Sequence, residues 1–141
     1  MEEGKIKKVC DSATEQVQIV RYSDANSTGR LFGGQLMQWV DIVAGVVGRR
    51  HSGREVTTAA IDNLSFLAPV YLGDTVLLKG CITQVGRTSM RVCVDTYREK
   101  RNMERILVNR ARLVMVALDD QGNPCEVPRL EPGAADCCEP E

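Results

Sequence analysis

Histidine is almost missing from this chain: its 141 residues include one, His51. A Ser-His-Asp triad would have to use that residue. Because His51 follows Arg50 at the end of a helical segment, a helix-terminus role is the plainer reading. The sequence also lacks the Gly-x-Ser-x-Gly elbow, the Gly-x-x-x-x-Gly-Lys-Ser/Thr phosphate loop and the Gly-x-Gly-x-x-Gly dinucleotide fingerprint. No run approaches the roughly eighteen apolar residues of a membrane-spanning helix. Residues 1–16, MEEGKIKKVCDSATEQ, are charged and lack the apolar stretch of a secretory signal. An excess of one charge is lacking too: 18 Lys and Arg against 19 Asp and Glu leave a net charge of −1. Nothing in that balance draws the protein to nucleic acid or to an anionic membrane, so a phosphate-bearing ligand needs a local basic patch. The six cysteines have no metal-ligand spacing. Cys10, Cys81, Cys93 and Cys125 stand far apart, and Cys137 and Cys138 are adjacent near the end. Reduced cytoplasmic thiols are therefore expected. Cys81 and Cys93 fall inside strand-like runs as small hydrophobes, and the terminal pair reads as a frayed end rather than a redox site. No metal and no redox cofactor is expected.

What is present fits a single domain. Residues 1–15 and 132–141 are polar or small and are expected to be flexible ends around a folded unit at 16–131. Residues 16–22 alternate as a first strand. A turn-rich stretch follows, then a helix over residues 34–50 whose apolar side chains cover nearly its whole circumference, which predicts an internal helix. From residue 55 the period changes to two, predicting strands over 55–67, 75–85, 88–98 and 106–118, with turns at Gly73-Asp74 and at residues 119–124. Short connections favour antiparallel pairing. The order therefore predicts an α+β fold of the hotdog type, an antiparallel β-sheet wrapped around one long central helix.

Chemistry concentrates in residues 26–41, NSTGRLFGGQLMQWVD. Gly34, Gln38, Asp41, Gly45 and Gly48 recur at helical spacing as a small or polar stripe. Interior glycines cost about 1 kcal/mol each relative to Ala, which points to close approach by a second helix or a ligand. Asp41 is the one carboxylate on the stripe: a general base on one reading, the partner of a structural hydrogen bond on the other. Gly33 and Gly34 open the helix, where free N–H groups and the positive dipole end can bind an oxyanion, or where two glycines simply make a sharp turn. Asn26 in the preceding loop offers an amide for water or a carbonyl, or plain turn chemistry. Gly34 and Asp41 are separated by roughly 10 Å along a helix, too far to serve one carbonyl within about 3–4 Å. This spacing predicts a site shared between protomers, Asp41 from one and Asn26 with the Gly34 amide from the other.

The ordered set of motifs closely resembles the hotdog acyl-CoA thioesterases, including the bacterial YciA-like and brain-type acyl-CoA hydrolases. Those residues are Asn26-Ser27-Thr28-Gly29, Leu31-Phe32-Gly33-Gly34-Gln35-Leu36-Met37, Trp39-Val40-Asp41, Arg50-His51, Phe66-Leu67-Ala68-Pro69-Val70, Gly73-Asp74, residues 85–90, residues 115–119 and Val127-Pro128. The likeness spans residues 16–130. It implies hydrolysis of acyl-CoA to a free acid and CoA, with Asp41 and Asn26 as the catalytic pair; Asp41 then acts as general base on water or as a nucleophile through an anhydride, and the Gly34 amide at the helix head is read as stabilising the oxyanion. It also implies that Gly86, Arg87, Thr88 and Ser89 bind CoA, which is substrate and product rather than cofactor. Homodimers with shared sites, assembled as trimers of dimers, are implied as well. The acyl pocket is expected to include Trp39 and Phe66. The charged connection at residues 98–105 reads as a solvated hairpin tip or, on the other reading, as a contact for the CoA phosphates through Arg98, Lys100, Arg101 and Arg105. The rival reading is a non-catalytic acyl-CoA-binding module on the same fold.

Overall fold

The period-two runs build one curled antiparallel sheet, and the apolar helix lies on its concave face. A computed structural model describes residues 5–62 and 65–132. In chain order the elements are β1 (Ile6–Lys7), α1 (Val9–Ser12), β2 (Thr14–Ile19), a 3₁₀ turn (Tyr22–Asp24), α2 (Gly33–Ser52), β3 (Glu55–Asp62), β4 (Thr75–Val85), β5 (Ser89–Glu99), β6 (Arg105–Leu118) and β7 (Arg129–Leu130). Five strands form the main sheet in the order β2-β4-β5-β6-β3, every neighbouring pair antiparallel. This is the hotdog arrangement. Bulges between Thr58 and Ala60, Ile82 and Gln84, and Thr96 and Tyr97 add local twist and bend the strands.

The inward row of each strand is apolar. Val76, Leu78 and Ile82 of β4, Met90, Val92 and Val94 of β5, and Ala111, Leu113, Met115 and Ala117 of β6 pack with Val40, Val43, Ala44 and Val47 of α2. Gly80 interrupts the row for a steric reason. A Cβ there would lie 2.6 Å from Val43 Cγ1 and 3.1 Å from Val47 Cγ2, so only glycine lets the helix settle this close to β4. Gly53, at φ 70°, takes the left-handed conformation that ends α2, and its N–H donates to the Arg49 carbonyl (2.8 Å).

Three features depart from the sequence expectations. The apolar helix is covered on one side only: Met37 and Ile42 remain 43% and 47% exposed. One sheet can cover only one face of a helix, and the described residues leave these two side chains uncovered on the other. Residues 5–15, set outside the folded unit by composition, hold β1 and α1. β1 pairs parallel with β7, and Val9 and Ser12 are buried. Four-residue and two-residue elements are too short to show a period. The strand expected to reach residue 67 is described over Glu55–Asp62; Ser65–Leu67 are not strand, although the Leu67 N–H donates to the Val108 carbonyl of β6 (2.7 Å), and Asn63 and Leu64 lie outside the described residues, as do Cys137 and Cys138. Of the small or polar stripe, Asp41 and Gly48 lie against β3. A Cβ on Gly48 would meet Val56 Cγ1 at 3.2 Å, whereas one on Gly45 would meet nothing within 4 Å.

Candidate active site

At the head of α2 the backbone offers unfilled donors. Phe32 occupies the N-cap position without a side-chain cap. The first helical bonds run from Gln35 N–H and Leu36 N–H to the Phe32 carbonyl (3.0 and 3.1 Å), which leaves the Gly33 and Gly34 amides ahead of the ladder. A Cβ on Gly34 would press to 2.7 Å of the Phe32 ring, and one on Gly33 would lie 3.8 Å from Phe66. Two exposed aromatic rings therefore flank two bare amides. Of the aromatics expected in an acyl pocket, Phe66 stands here, 37% exposed. Trp39 instead belongs to the core, 5% exposed.

The Asn26 loop folds back onto this helix end. Ala25 bridges Leu31, and the Phe32 N–H donates to the Asp24 carbonyl at 2.9 Å. Asn26 Oδ1 accepts from the Thr28 N–H (3.0 Å), the Thr28 hydroxyl (2.7 Å) and the Arg30 N–H (3.2 Å). Its oxygen is fully used by the turn. What the exposed side chain still offers is the Nδ2 donor, which suits a carbonyl oxygen and not a water proton. Two residues earlier, Asp24 is buried, its Oδ2 accepting from the Arg21 N–H (2.9 Å) and Nε (3.3 Å). Burial alone would push this carboxyl up; the Arg21 amide and guanidinium outweigh it and hold the group below its ordinary value.

Asp41 lies two turns along α2, half-buried against β3. The Thr58 hydroxyl donates to Asp41 Oδ1 at 2.6 Å, a short charge-assisted bond. Oδ2 has no hydrogen-bond partner among the described residues. Thr58 was not singled out from the sequence, where it reads as one more β-branched strand residue. The available signal was its place on the inward row, a hydroxyl among apolar neighbours opposite the single carboxylate of the helix.

The chain does not gather every predicted residue. No side-chain hydrogen bond links Asn26 to Asp41 among the described residues, and Asp41 stays roughly 10 Å beyond Gly34 along the axis. Gly86, Arg87, Thr88 and Ser89 form the β4–β5 turn. The Gly86 N–H donates to the Ser89 carbonyl (2.8 Å), and the Arg87 and Thr88 carbonyls accept from Val127 and Ala117 (3.0 and 3.2 Å). Arg87 is exposed, 3.9 Å from Glu126. Met90, Met115 and Thr58 share one row of the sheet, so this turn stands one row beyond Thr58 and two strands away. The Asn26 loop is at the sheet's other end, where Ile19 pairs with Thr75. In the connection at residues 98–105, Arg98 lies 4.0 Å from Asp74 and Arg105 3.7 Å from Glu99.

His51 takes no part in this site. It is fully buried in the last turn of α2, and its Nε2–H donates to the Pro128 carbonyl at 2.7 Å, while Nδ1 has no partner among the described residues. Burial lowers its pKa below the ordinary 6.5; Lys7 lowers it further, against the raising effects of the Pro128 bond and Asp11. The neutral imidazole is thus the native form. Its contribution to stability is complete above pH 6.5, where the unfolded chain is also neutral. It is lost as pH falls through the lower folded value, because the unfolded state takes up the proton first. Urea midpoints should therefore decline from pH 7.5 to 5. A His51→Gln variant should show a flatter profile, and an unchanged slope would assign the dependence to other groups.

The hotdog helix thus carries a carboxylate fixed by a hydroxyl two turns from its head, where two backbone amides stand ahead of the ladder. Comparison with known proteins gives this hotdog protein its family. Residues 28–104 match the family model described as thioesterase superfamily. An acyl-CoA thioester hydrolase of Zymomonas mobilis, itself described as uncharacterized, is 40% identical over 77% of this chain and 73% of its own length. The similarly described YkhA of Bacillus subtilis is 41% identical over 77% of this chain and 64% of its own length. Among solved structures, the Staphylococcus aureus acyl-CoA hydrolase in complex with butyryl coenzyme A, coenzyme A and coenzyme A disulfide superposes with a TM-score of 0.85. It is 30% identical, over 92% of this chain and 80% of that one. The hexameric thioesterase y2039 of Yersinia pestis gives a TM-score of 0.75 at 28% identity, over 80% of this chain and 93% of its own. The chain belongs to the thioesterase superfamily and is an enzyme of that class.

Proposed function

We propose that this enzyme hydrolyses acyl-CoA thioesters to a carboxylic acid and CoA. The observation that carries the reading is the Asp41 carboxylate, held at Oδ1 by Thr58 at 2.6 Å with Oδ2 left free. Asp41 takes a proton from water, and the resulting hydroxide attacks the thioester carbonyl. The oxyanion of the tetrahedral intermediate accepts from the Gly34 N–H and Asn26 Nδ2. Collapse breaks the C–S bond and releases the CoA thiolate, which takes up a proton. Thr58 sets the rotamer of the base. The S. aureus acyl-CoA hydrolase supports these roles: its structures include alanine variants of an Asn, an Asp and a Thr at the same spacings as Asn26, Asp41 and Thr58. The turn at Gly86, Arg87, Thr88 and Ser89 supplies amides and one exposed guanidinium for CoA.

The active site is completed by a second protomer. The roughly 10 Å between Gly34 and Asp41 favours this, as does the exposed apolar surface of Phe32, Met37, Ile42, Phe66 and Leu67 around the head of α2. β3 is an edge strand with an unpaired side. Hexameric thioesterases among the structural relatives are consistent with an oligomer.

A panel of acyl-CoAs assayed with a thiol-trapping reagent tests the activity. Tight CoA binding without turnover would replace hydrolysis by a binding role. The shared site has its own test. Asp41→Ala and Asn26→Ala chains, each inactive, should regain activity when mixed and allowed to exchange subunits, toward a quarter of the unaltered rate for random dimers with one intact site in half of them. Mixtures as inactive as their components would place both groups in one chain's site.

A further inference from the structure

Between the Asn26 loop and the helix head runs a chain of hydrogen bonds that the hydrolytic steps do not use. Asp24 is 2% exposed and precedes Asn26 by two residues. Its backbone carbonyl accepts from the Phe32 N–H (2.9 Å), and its Oδ2 from Arg21. Its other oxygen, Oδ1, faces the Gln35 side chain. With the Gln35 amide oriented so that donors meet acceptors, Nε2 donates to Asp24 Oδ1 (3.2 Å) and Oε1 accepts from the Trp39 indole N–H (2.9 Å). The opposite orientation sets oxygen against carboxylate and N–H against N–H. In the first orientation Gln35 Oε1 also stands 2.9 Å from the Gln38 amide, which must turn its N–H toward it, reversing the Gln35-to-Gln38 bond of the opposite orientation. The chain of bonds thus starts two residues before Asn26 and reaches the helix one residue after Gly34. It is anchored in the core by Trp39, which is 5% exposed.

We propose that Asp24, Gln35 and Trp39 form a positioning relay that fixes the Asn26 loop relative to the head of α2, and so sets the distance between Asn26 Nδ2 and the Gly34 N–H. The inference rests on the hydrolase reading, since these two donors serve the same oxyanion there. None of the three touches substrate; each acts through Asn26 or Gly34. The loop needs such a tie because Asn26 itself is exposed and its oxygen is used within its own turn. A displacement of about 1 Å between two groups that share a reacting atom costs on the order of 100-fold in rate.

The chain has one tryptophan, so intrinsic fluorescence reads the relay directly. Gln35→Leu, which keeps the Asp24–Arg21 contacts, should shift Trp39 emission by removing the indole's acceptor. It should lower kcat roughly 10- to 100-fold while KM for acyl-CoA moves less than about threefold. Asp24→Asn alone should lower kcat similarly. Asp24→Asn combined with Gln35→Glu should recover most of the loss: the new amide at position 24 donates to the new carboxylate at position 35, which still accepts from Trp39. Unchanged kcat and emission in Gln35→Leu would overturn the relay, and so would a double variant no better than its singles. A fall in kcat that only tracks the folded fraction would overturn it as well. Emission needs no turnover, so absence of hydrolysis in the unaltered chain, which removes the hydrolase reading, is told apart from failure of the relay.

Discussion

Asp41→Asn should lower kcat for acyl-CoA hydrolysis by roughly 10²- to 10⁴-fold, the range general-base catalysis supplies, without unfolding the chain. The carboxamide has the same shape, and its oxygen still accepts from the Thr58 hydroxyl that holds Asp41 Oδ1 at 2.6 Å. What disappears is the free oxygen able to take a proton. Thermal unfolding of the variant should stay within a few degrees of the parent, because the half-buried position keeps its hydrogen bond. Thr58→Val separates the base from its support. It leaves the carboxylate in place but removes a bond to a charged group worth about 1.5–3 kcal/mol, so kcat should fall about 10- to 100-fold, less than for Asp41→Asn. An Asp41→Asn enzyme retaining a tenth of the parent kcat would assign the base elsewhere.

The parts of the fold with a strong period were legible in the sequence. Residues 75–85 run as a strand to the residue, and the helix predicted over 34–50 extends one residue earlier and two later. Five alternating runs around one apolar helix allowed little besides a hotdog. The weak signals failed where structure depends on distant partners. β1 and β7 are two residues each and exist because they pair with one another across the length of the chain. The helix looks internal by composition, yet Met37 and Ile42 remain uncovered in one chain, since composition records apolarity and not what supplies the cover. In the candidate site, Asn26, Gly34 and Asp41 stand out as residue types in a suspicious run. Asn26's restriction to a donor, and Thr58 as partner of Asp41, appear only when the turn closes and β3 docks beside α2. Asp24 escaped notice because an aspartate two residues before a turn is unremarkable until Gln35 is placed beside it.

The largest stability effect lies on the other face of the sheet. Asp95 of β5 pairs in register with Arg110 of β6 and with Lys79 of β4. Arg110 Nε and Nη2 donate to Asp95 Oδ1 and Oδ2 at 2.7 and 2.9 Å, with the two side chains 11% and 1% exposed. The Tyr97 hydroxyl stands 3.4 Å from the same carboxylate and Cys93 Sγ 3.5 Å from it. A bidentate pair removed from water offsets its own desolvation, but half of such a pair does not. Arg110→Ala should therefore destabilise the chain by about 3–5 kcal/mol, a large share of the roughly 5–15 kcal/mol that holds a domain together. At about 2–4 °C per kcal/mol, the melting temperature should drop on the order of 10 °C. Asp95→Leu with Arg110→Met, which removes both charges and keeps the volume, should cost much less than the two single changes added together. A double-mutant cycle in urea measures the coupling, and additive losses below about 1 kcal/mol each would mean the pair is effectively solvated. Because this face points away from α2, Asp41 and Thr58, kcat per folded molecule should be unchanged in all of these variants. That separates loss of the enzyme by unfolding from the loss of chemistry expected when Asp41 is altered.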